Sequence, residues 1–514
     1  MAGIQAYNQA YLMADEKNAA VYDSFAARQM RYQLGWAFYE SNQYDDFQTL
    51  SRGMKVQRGL YKYIQDIYNP VSRMGDFYKG VVWRGSLDLD AADKGAIPIA
   101  VGKKAEANED QLRAAIAHVW KVSNWNVNKN ISVLHGTILG DAALYIRDDL
   151  ERGECRIEML HPSKLKEVDI DVRGFVKSYI IEEQRKDEGG RVVTYTETCE
   201  RGDNENVIFK TYKDRTPFAW GGNNDASGNP RAEWEEVYGF IPLVLMQHIN
   251  EGRDWGKSAI QSKLKKIMVI DDEASLLHDQ IRKVVNPFKL ANFKRPTANI
   301  KATTDTPTTD TPQPGREKED ILYIDMPEAS ITPIITPLDI VGVSANIKMM
   351  LDNLENELPE LRRDIFANVA EDTVKAARAQ VESKVFEARI NYDAGIISAL
   401  QMAIAIGGAR GYNGYDGFDL NSYDAGKLDC SVSDRAVFPE SDEQIQNKKI
   451  QRWTVAADVS QKSGGAISAE SVLKDLGMTD EEMSEMPTQR TAAWKIARED
   501  TVPTDPETGE PMTQ

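Results

Sequence analysis

Two apolar stripes at helical spacing bracket a stretch that cannot form a core, and this limits the fold more than any other feature. The first stripe is Ile260, Leu264, Ile267, Ile270, Ala274, Leu277, Ile281 and Val284. Its spacing is close to that of a coiled-coil seam and predicts a long helix packed along a neighbour. Ser258, with Gln261 three residues on, reads as a capping box at its start, and Asn286-Pro287 stops it. At about 1.5 Å per residue the helix would span roughly 42 Å. Residues 287–336 are irregular. Within them Thr303-Thr304-Asp305-Thr306-Pro307 repeats at once as Thr308-Thr309-Asp310-Thr311-Pro312, an extended, solvated loop. Strand-like runs at 321–324 and 331–335 flank it. The second stripe is Ile340, Val343, Ile347, Met350 and Leu354, opened by Thr336 as N-cap, Pro337 at the first position and Asp339 in the first turn. Leu358-Pro359 interrupts it. After a short break at 359–371, a third helix is expected from Asp372 to about Ile406, carrying Val374, Ala377, Val381, Val385, Ala388 and Leu400. Gly407-Gly408 should end it.

The rest of the chain divides by period. Residues 1–80 read as helical, with Leu60, Tyr63, Ile64 and Ile67 on one side and a break at Asn69-Pro70. A second helical stretch at 108–135 carries Leu112, Ala115, His118, Val119 and Val122. From about 142 the period drops to two, and strands are expected at 143–147, 156–160, 176–181, 191–196 and 241–246. Turns such as 188–190 and 221–224 separate them into an antiparallel region reaching about 250. Residues 409–440 hold a polar stretch and then a strand around 428–437. Residues 441–497 read as helical and 498–514 as a disordered tail. The class is therefore α+β.

Charge and cysteine content narrow the function. The 514 residues are 41% hydrophobic, enough for roughly two to four packed units. The formal net charge of −18 argues against a free nucleic-acid binder and suits a protein that must not stick to DNA non-specifically. Cys155, Cys199 and Cys430 form no CxxC pair, and the five histidines are scattered, so a reducing compartment and no zinc site are expected. The N-terminus lacks the pattern of a signal peptide, and no run of 18 apolar residues occurs; neither secretion nor a membrane span is expected.

Few residues are arranged for catalysis. Residues 252–258, Gly-Arg-Asp-Trp-Gly-Lys-Ser, follow a strand and precede a helix, as a phosphate loop would. Position 251 is Glu, so the loop is one residue short of wrapping a phosphate, and a turn launching the helix is the better reading. Asp169 and Asp171 near His161 read as a strand face rather than a metal cluster. Asp416, Asp419, Asn421 and Asp424 lack the glycine and final glutamate of a calcium loop and read as a polar turn. Arg201-Gly202-Asp203 carries almost no weight. GxSxG and HExxH motifs are missing. From Lys257 to Arg295 there are nine Lys/Arg against four acids, either a solvated helix face or a surface for phosphate or a partner.

The order of parts resembles the portal proteins of long-tailed phages. Local text agrees over about 50–480. Asn69-Pro70-Val71 with Phe77-Tyr78 and Val81-Val82 is similar to the family's early wing. Gly136-Thr137-Ile138-Leu139-Gly140-Asp141-Ala142-Ala143 leading to Leu160-His161-Pro162 resembles a strand pair ending in a Pro turn. Phe240-Ile241-Pro242-Leu243-Val244, then Gly256-Lys257-Ser258 and Ile270-Asp271-Asp272, resemble the entry to the first stem helix. Val437-Phe438-Pro439 with Ser441-Asp442-Glu443 is similar to a strand-to-crown junction, and Ser463-Gly464-Gly465-Ala466-Ile467-Ser468 before Val472-Leu473 to crown helices. The Thr-Asp-Thr-Pro duplication departs from the family's pattern.

The resemblance implies a portal fold: a helical and antiparallel-sheet wing over 1–256, stem helix one over 257–286, a clip over 287–336 and stem helix two over 337–358. A tunnel loop over 359–371, a long helix with wing return strand over 372–440, a crown over 441–497 and the tail over 498–514 complete it. It implies a virion protein, made in the host bacterial cytoplasm, that forms a dodecameric ring at one capsid vertex for DNA packaging, retention and ejection. The expected partners are its own copies, the terminase packaging motor docking on 287–336, a head-completion adaptor, the major capsid protein, a scaffold protein, and double-stranded DNA passing non-specifically, with no membrane. No enzyme activity, cofactor or metal is implied. Arg362, Arg363 and Asn368 would lie near the channel constriction, and Lys263, Lys266, Arg282 and Lys283 would face the lumen or neighbouring subunits. The alternatives are another ring-forming connector or scaffold, and a nucleotide-dependent enzyme using 252–258.

Overall fold

Asn69 and Pro70, expected to break a helix, start one. The computed structural model describes residues 24–47, 68–90, 96–186, 189–202, 206–220, 229–285, 288–292, 321–324, 330–334, 339–362, 371–438, 450–456, 458–459, 462 and 469–476. The helical reading at 60–67, the turn at 221–224, the Thr-Asp-Thr-Pro repeat and the tail lie outside these residues. Helix α1 (Phe25–Tyr39) is capped by the Ser24 side chain and followed by the short α2 (Gln43–Asp46). Helix α3 (Pro70–Val81) begins where Asn69 Oδ1 accepts the Val71 N–H at 3.0 Å and proline takes the first position, where no N–H is needed. Arg389 and Arg435 donate to Val81 O and Val82 O at its far end, two cations on the negative pole of the helix.

The stretch 108–135 is two helices, α4 (Glu109–Val122) and α5 (Trp125–Leu139). Asn124 turns the chain between them in the left-handed region, at φ 47°, a conformation asparagine tolerates. Gly140, at φ 98°, ends α5.

Strands then follow the period-two pattern. Strands β1 (Leu87–Asp88) and β2 (Ile97–Val101) pair in parallel near the start of the unit. The antiparallel region holds β3 (Asp141–Asp149), β4 (Glu154–Leu160), β5 (Leu165–Ile170), β6 (Val176–Lys186), β7 (Val192–Arg201), β8 (Val207–Lys213), β9 (Thr216–Pro217), β10 (Glu233–Glu236) and β11 (Leu243–Gln247). They form two sheets, ordered β11-β3-β4 and β10-β8-β7-β6-β5, with β9 on β8. Tyr145 of β3 and Tyr179 of β6 both donate to buried Glu197 of β7, at 3.1 and 2.8 Å. That carboxylate therefore ties the two sheets together.

The long helices start and end differently from their sequence signals. Helix α6 (Leu264–Val285) begins six residues after Ser258, because the Ser258 hydroxyl donates to Thr137 O at the end of α5. Strands β12 (Phe288–Asn292), β13 (Ile321–Ile324) and β14 (Ser330–Ile334) form a small sheet between α6 and the next helix. In it β12 pairs in parallel with β13 and antiparallel with β14. The first of these strands was not expected. Helix α7 (Ile340–Glu357) is capped by Asp339, which accepts the Gly342 N–H at 2.9 Å; Thr336 and Pro337 lie outside the described residues. Helix α8 (Glu371–Arg410) has 40 residues, about 60 Å. Gly407 and Gly408 lie inside it. A Cβ on Gly407 would sit 2.7 Å from the Tyr415 ring and one on Gly408 2.3 Å from Phe418 O, so these glycines permit close packing.

Over Arg378–Arg410 helix α8 is long and apolar enough to cross a membrane, by length and composition. Its packing on β3, β4 and β11, which buries Tyr392, Ile396, Leu400, Ala403 and Ile404, accounts for that hydropathy. Helix α9 (Leu420–Asp424) opens at Asp419, whose carboxylate and the Ser422 hydroxyl form a reciprocal capping box. The strand expected over 428–437 is only β15 (Cys430–Val432), on the edge of β2. The chain divides into two compact units, one up to Val437 and one from Phe438. The second holds α10 (Ala469–Asp475), and its described core is Ala456 and Leu473, with Trp453 and Val472 against them.

Candidate functional site at the junction of the long helices

The start of α6, the end of α7, α3 and α8 converge on one short turn. Leu358-Pro359 ends α7 and leads into a single 3-10 turn, Pro359–Leu361. Leu354, Leu358 and Leu361 anchor it in the core. Glu360 is buried at 4% exposure, and its carboxylate accepts the Tyr78 hydroxyl at 2.8 Å and Lys384 at 3.3 Å. Burial and the neighbouring Glu360 push the Tyr78 hydroxyl well above its usual range, so it stays a donor. Lys384 also donates to Glu357 O, and Arg73 to Leu361 O, both at 3.3 Å. The turn is therefore fixed by α3 on one side and α8 on the other.

Glu357, in the last turn of α7, takes two lysines. Lys263 and Lys266 lie three apart, on one face at the start of α6, and both pair with this carboxylate. Their hydrogen bonds hold the Glu357 carboxyl at about 2, below the usual carboxylate range. Deeper along α6, buried Asp271 accepts the Tyr44 hydroxyl at 2.8 Å and Tyr68 N–H at 2.6 Å. This part of α6 is held in the body of the unit, and beyond Ser275 none of its described side chains is fully buried.

Helix α7 is almost uncovered: Leu354 is its one fully buried side chain. Ile340, Val341 and Met349 are exposed, Val341 at 80%. Val269 and Ile281 on α6, with Phe386 and Ile390 on α8, are exposed too.

Of the expected site residues, the structure brings Lys263 and Lys266 together on Glu357. Arg362 directly follows the 3-10 turn, its N–H on Pro359 O. Arg363 and Asn368 lie outside the described residues. Arg282 and Lys283 are in the last turn of α6, and their side chains lie outside the described residues. Sequence reasoning missed Glu357, Glu360, Lys384 and Tyr78. They meet across separations of 24 to 282 residues, which no local spacing signals.

The alternative sites carry structural roles. In the 252–258 turn, Gly256 N–H donates to Asp141 at 2.7 Å, Gly252 N–H to Asn250 at 2.8 Å, and Lys257 pairs with Glu251 at 2.7 Å. A phosphate there would meet two carboxylates. Asp171 lies beyond β5, not on it, and accepts the Arg173 and Phe175 N–H groups of the turn. His161 caps Pro162–Lys164. Among the described residues no group of three His, Cys, Asp or Glu is placed to hold a metal ion. The three cysteines are buried and free, and burial raises their thiols. Comparison of the chain with protein-family models and with curated proteins returns no match.

Proposed function

We propose that the chain is a portal subunit: one copy of a ring at a capsid vertex that conducts DNA during packaging, holds it, and releases it at ejection. The observation that carries this reading is the pair α6 and α7, joined through a small sheet and left with Val269, Ile281, Ile340, Val341 and Met349 open to water. A two-helix arm with so little of α7 covered gains stability when further copies pack beside it. The order of parts supports the same reading: sheets, helix, small sheet, helix, pinned turn, 40-residue helix. On this reading α6 and α7 are the stem, 287–336 the clip that receives the packaging motor and then the adaptor, and the turn before Arg362 the root of the channel loop. The major capsid protein and a scaffold meet the sheet-bearing wing, and the DNA is bound without base readout. No step of catalysis is assigned.

Negative-stain imaging of the purified full chain tests the proposal. Rings with a central channel are expected, and Val341→Asp should convert them to smaller species while the melting temperature of the subunit changes little. Monomers of the unsubstituted chain over a wide concentration range would overturn it.

A further inference from the structure

Four cationic side chains bond within the junction: Lys263 and Lys266 to Glu357, Lys384 to Glu360, and Arg73 to the backbone of the turn. Glu360 is used inside the fold, between Tyr78 and Lys384. Glu357 differs: its side chain is 35% exposed and that of Lys266 is 50% exposed. One carboxylate shared by two ammonium groups leaves each lysine with spare donors and leaves net positive charge at the surface. We infer that Lys263 and Lys266 form a binding site for DNA phosphodiesters, and that Glu357 occupies it as an internal competitor.

The physical basis is exchange. A part-exposed lysine–carboxylate pair is held weakly. A duplex presents one charge about every 1.7 Å of its axis, so a row of phosphates outcompetes a single carboxylate while it is near and gives the lysines back when it leaves. Lysine point charges carry no base-reading geometry, so the contact is independent of sequence. Such a site touches DNA without retaining it, in keeping with a chain of net charge −18. The choice of duplex DNA as the anion rests on the portal reading; the competition does not.

The test uses the full chain and a short labelled duplex of mixed sequence, read by fluorescence anisotropy across salt concentrations. Glu357→Gln frees both lysines. It should tighten binding several-fold and steepen the log–log salt dependence by up to about 2, near 0.9 per phosphate contact. The double variant Lys263→Gln/Lys266→Gln should weaken binding and flatten the slope by a similar amount. Unchanged or weaker binding by a folded Glu357→Gln protein overturns the inference, because a purely structural tie predicts that result. If Glu357→Gln fails to fold, lysine acetylation of the unsubstituted chain decides. Duplex should protect Lys266 several-fold more than Lys348, which is exposed on α7, and equal protection overturns the inference. Imaging separates the two readings. Rings without the Glu357→Gln effect remove the competitor site alone, and duplex binding with that effect in a chain that forms no rings removes the portal reading alone.

Discussion

Tyr78 and Glu360 form the most consequential hydrogen bond of the junction, because each is buried and each has few other partners. Tyr78→Phe keeps the ring against His248, at 4.7 Å, and removes only the hydroxyl. It should cost about 1–3 kcal/mol by leaving a buried carboxylate short of a donor, seen as a lower urea midpoint at constant slope. Two deeply buried histidines contribute to the acid limb of stability. Burial holds His248 and His135 at about 3, against an ordinary value of about 6.5. Unfolded imidazoles take up protons below about 6.5 and the folded ones do not, so stability falls as pH drops from there toward 3. Each group contributes at most about 1.4 kcal/mol per pH unit. Asp141 acts in the opposite sense. Burial outweighs its bonds from Tyr32 and Gly256 and holds it at about 6, so the folded state takes up this proton first, offsetting part of the histidine loss between about 6 and 4. His248→Gln should flatten the stability–pH slope between 6 and 3 by up to one proton; an unchanged slope would show that His248 is not the source.

Helices and strands were legible where one face is buried and the period is regular. The runs at 143–147, 156–160 and 176–181 fall in β3, β4 and β6, and the run at 191–196 overlaps β7 from Val192. The third helix was expected within a few residues of its observed start, at Glu371. The errors occur where a residue's side chain serves a distant element. Ser258 carries an N-cap signal but binds the end of α5, and Gly407-Gly408 carry a termination signal but admit Tyr415 and Phe418. Strand β12 was missed because its pairing partners lie beyond residues 293–320, which give no local hairpin signal. The glycine reading is testable. Gly408→Val should cost about 1–3 kcal/mol through overpacking, whereas Gly80→Ala in α3, with open space around it, should stabilise or leave stability unchanged. Equal effects from the two would show that the contact at Gly408 is not tight.

For the molecule as a whole, the order of parts was readable but the junction was not, since Lys263, Glu357 and Lys384 are brought together only by three helices returning to one place. On the proposed reading, copies that each carry −18 repel one another, and the exposed apolar residues of α6 and α7 would draw them together. Moderate salt should therefore raise the fraction of assembled subunits relative to low salt, as mass photometry would show; assembly that declines steadily with salt would point to ion pairs as the main glue. Two guanidinium groups cap the end of α3. Arg389 reaches Val81 O, Arg435 reaches Val82 O and grips Asp393 of α8 with two bonds of 2.9 Å. A slip of α8 by a single residue, about 1.5 Å, would strip these contacts together. The 40-residue helix therefore behaves as a strut keyed against axial creep: a push at its Glu371 end is delivered to the sheets around Arg410 as thrust, not lost as sliding.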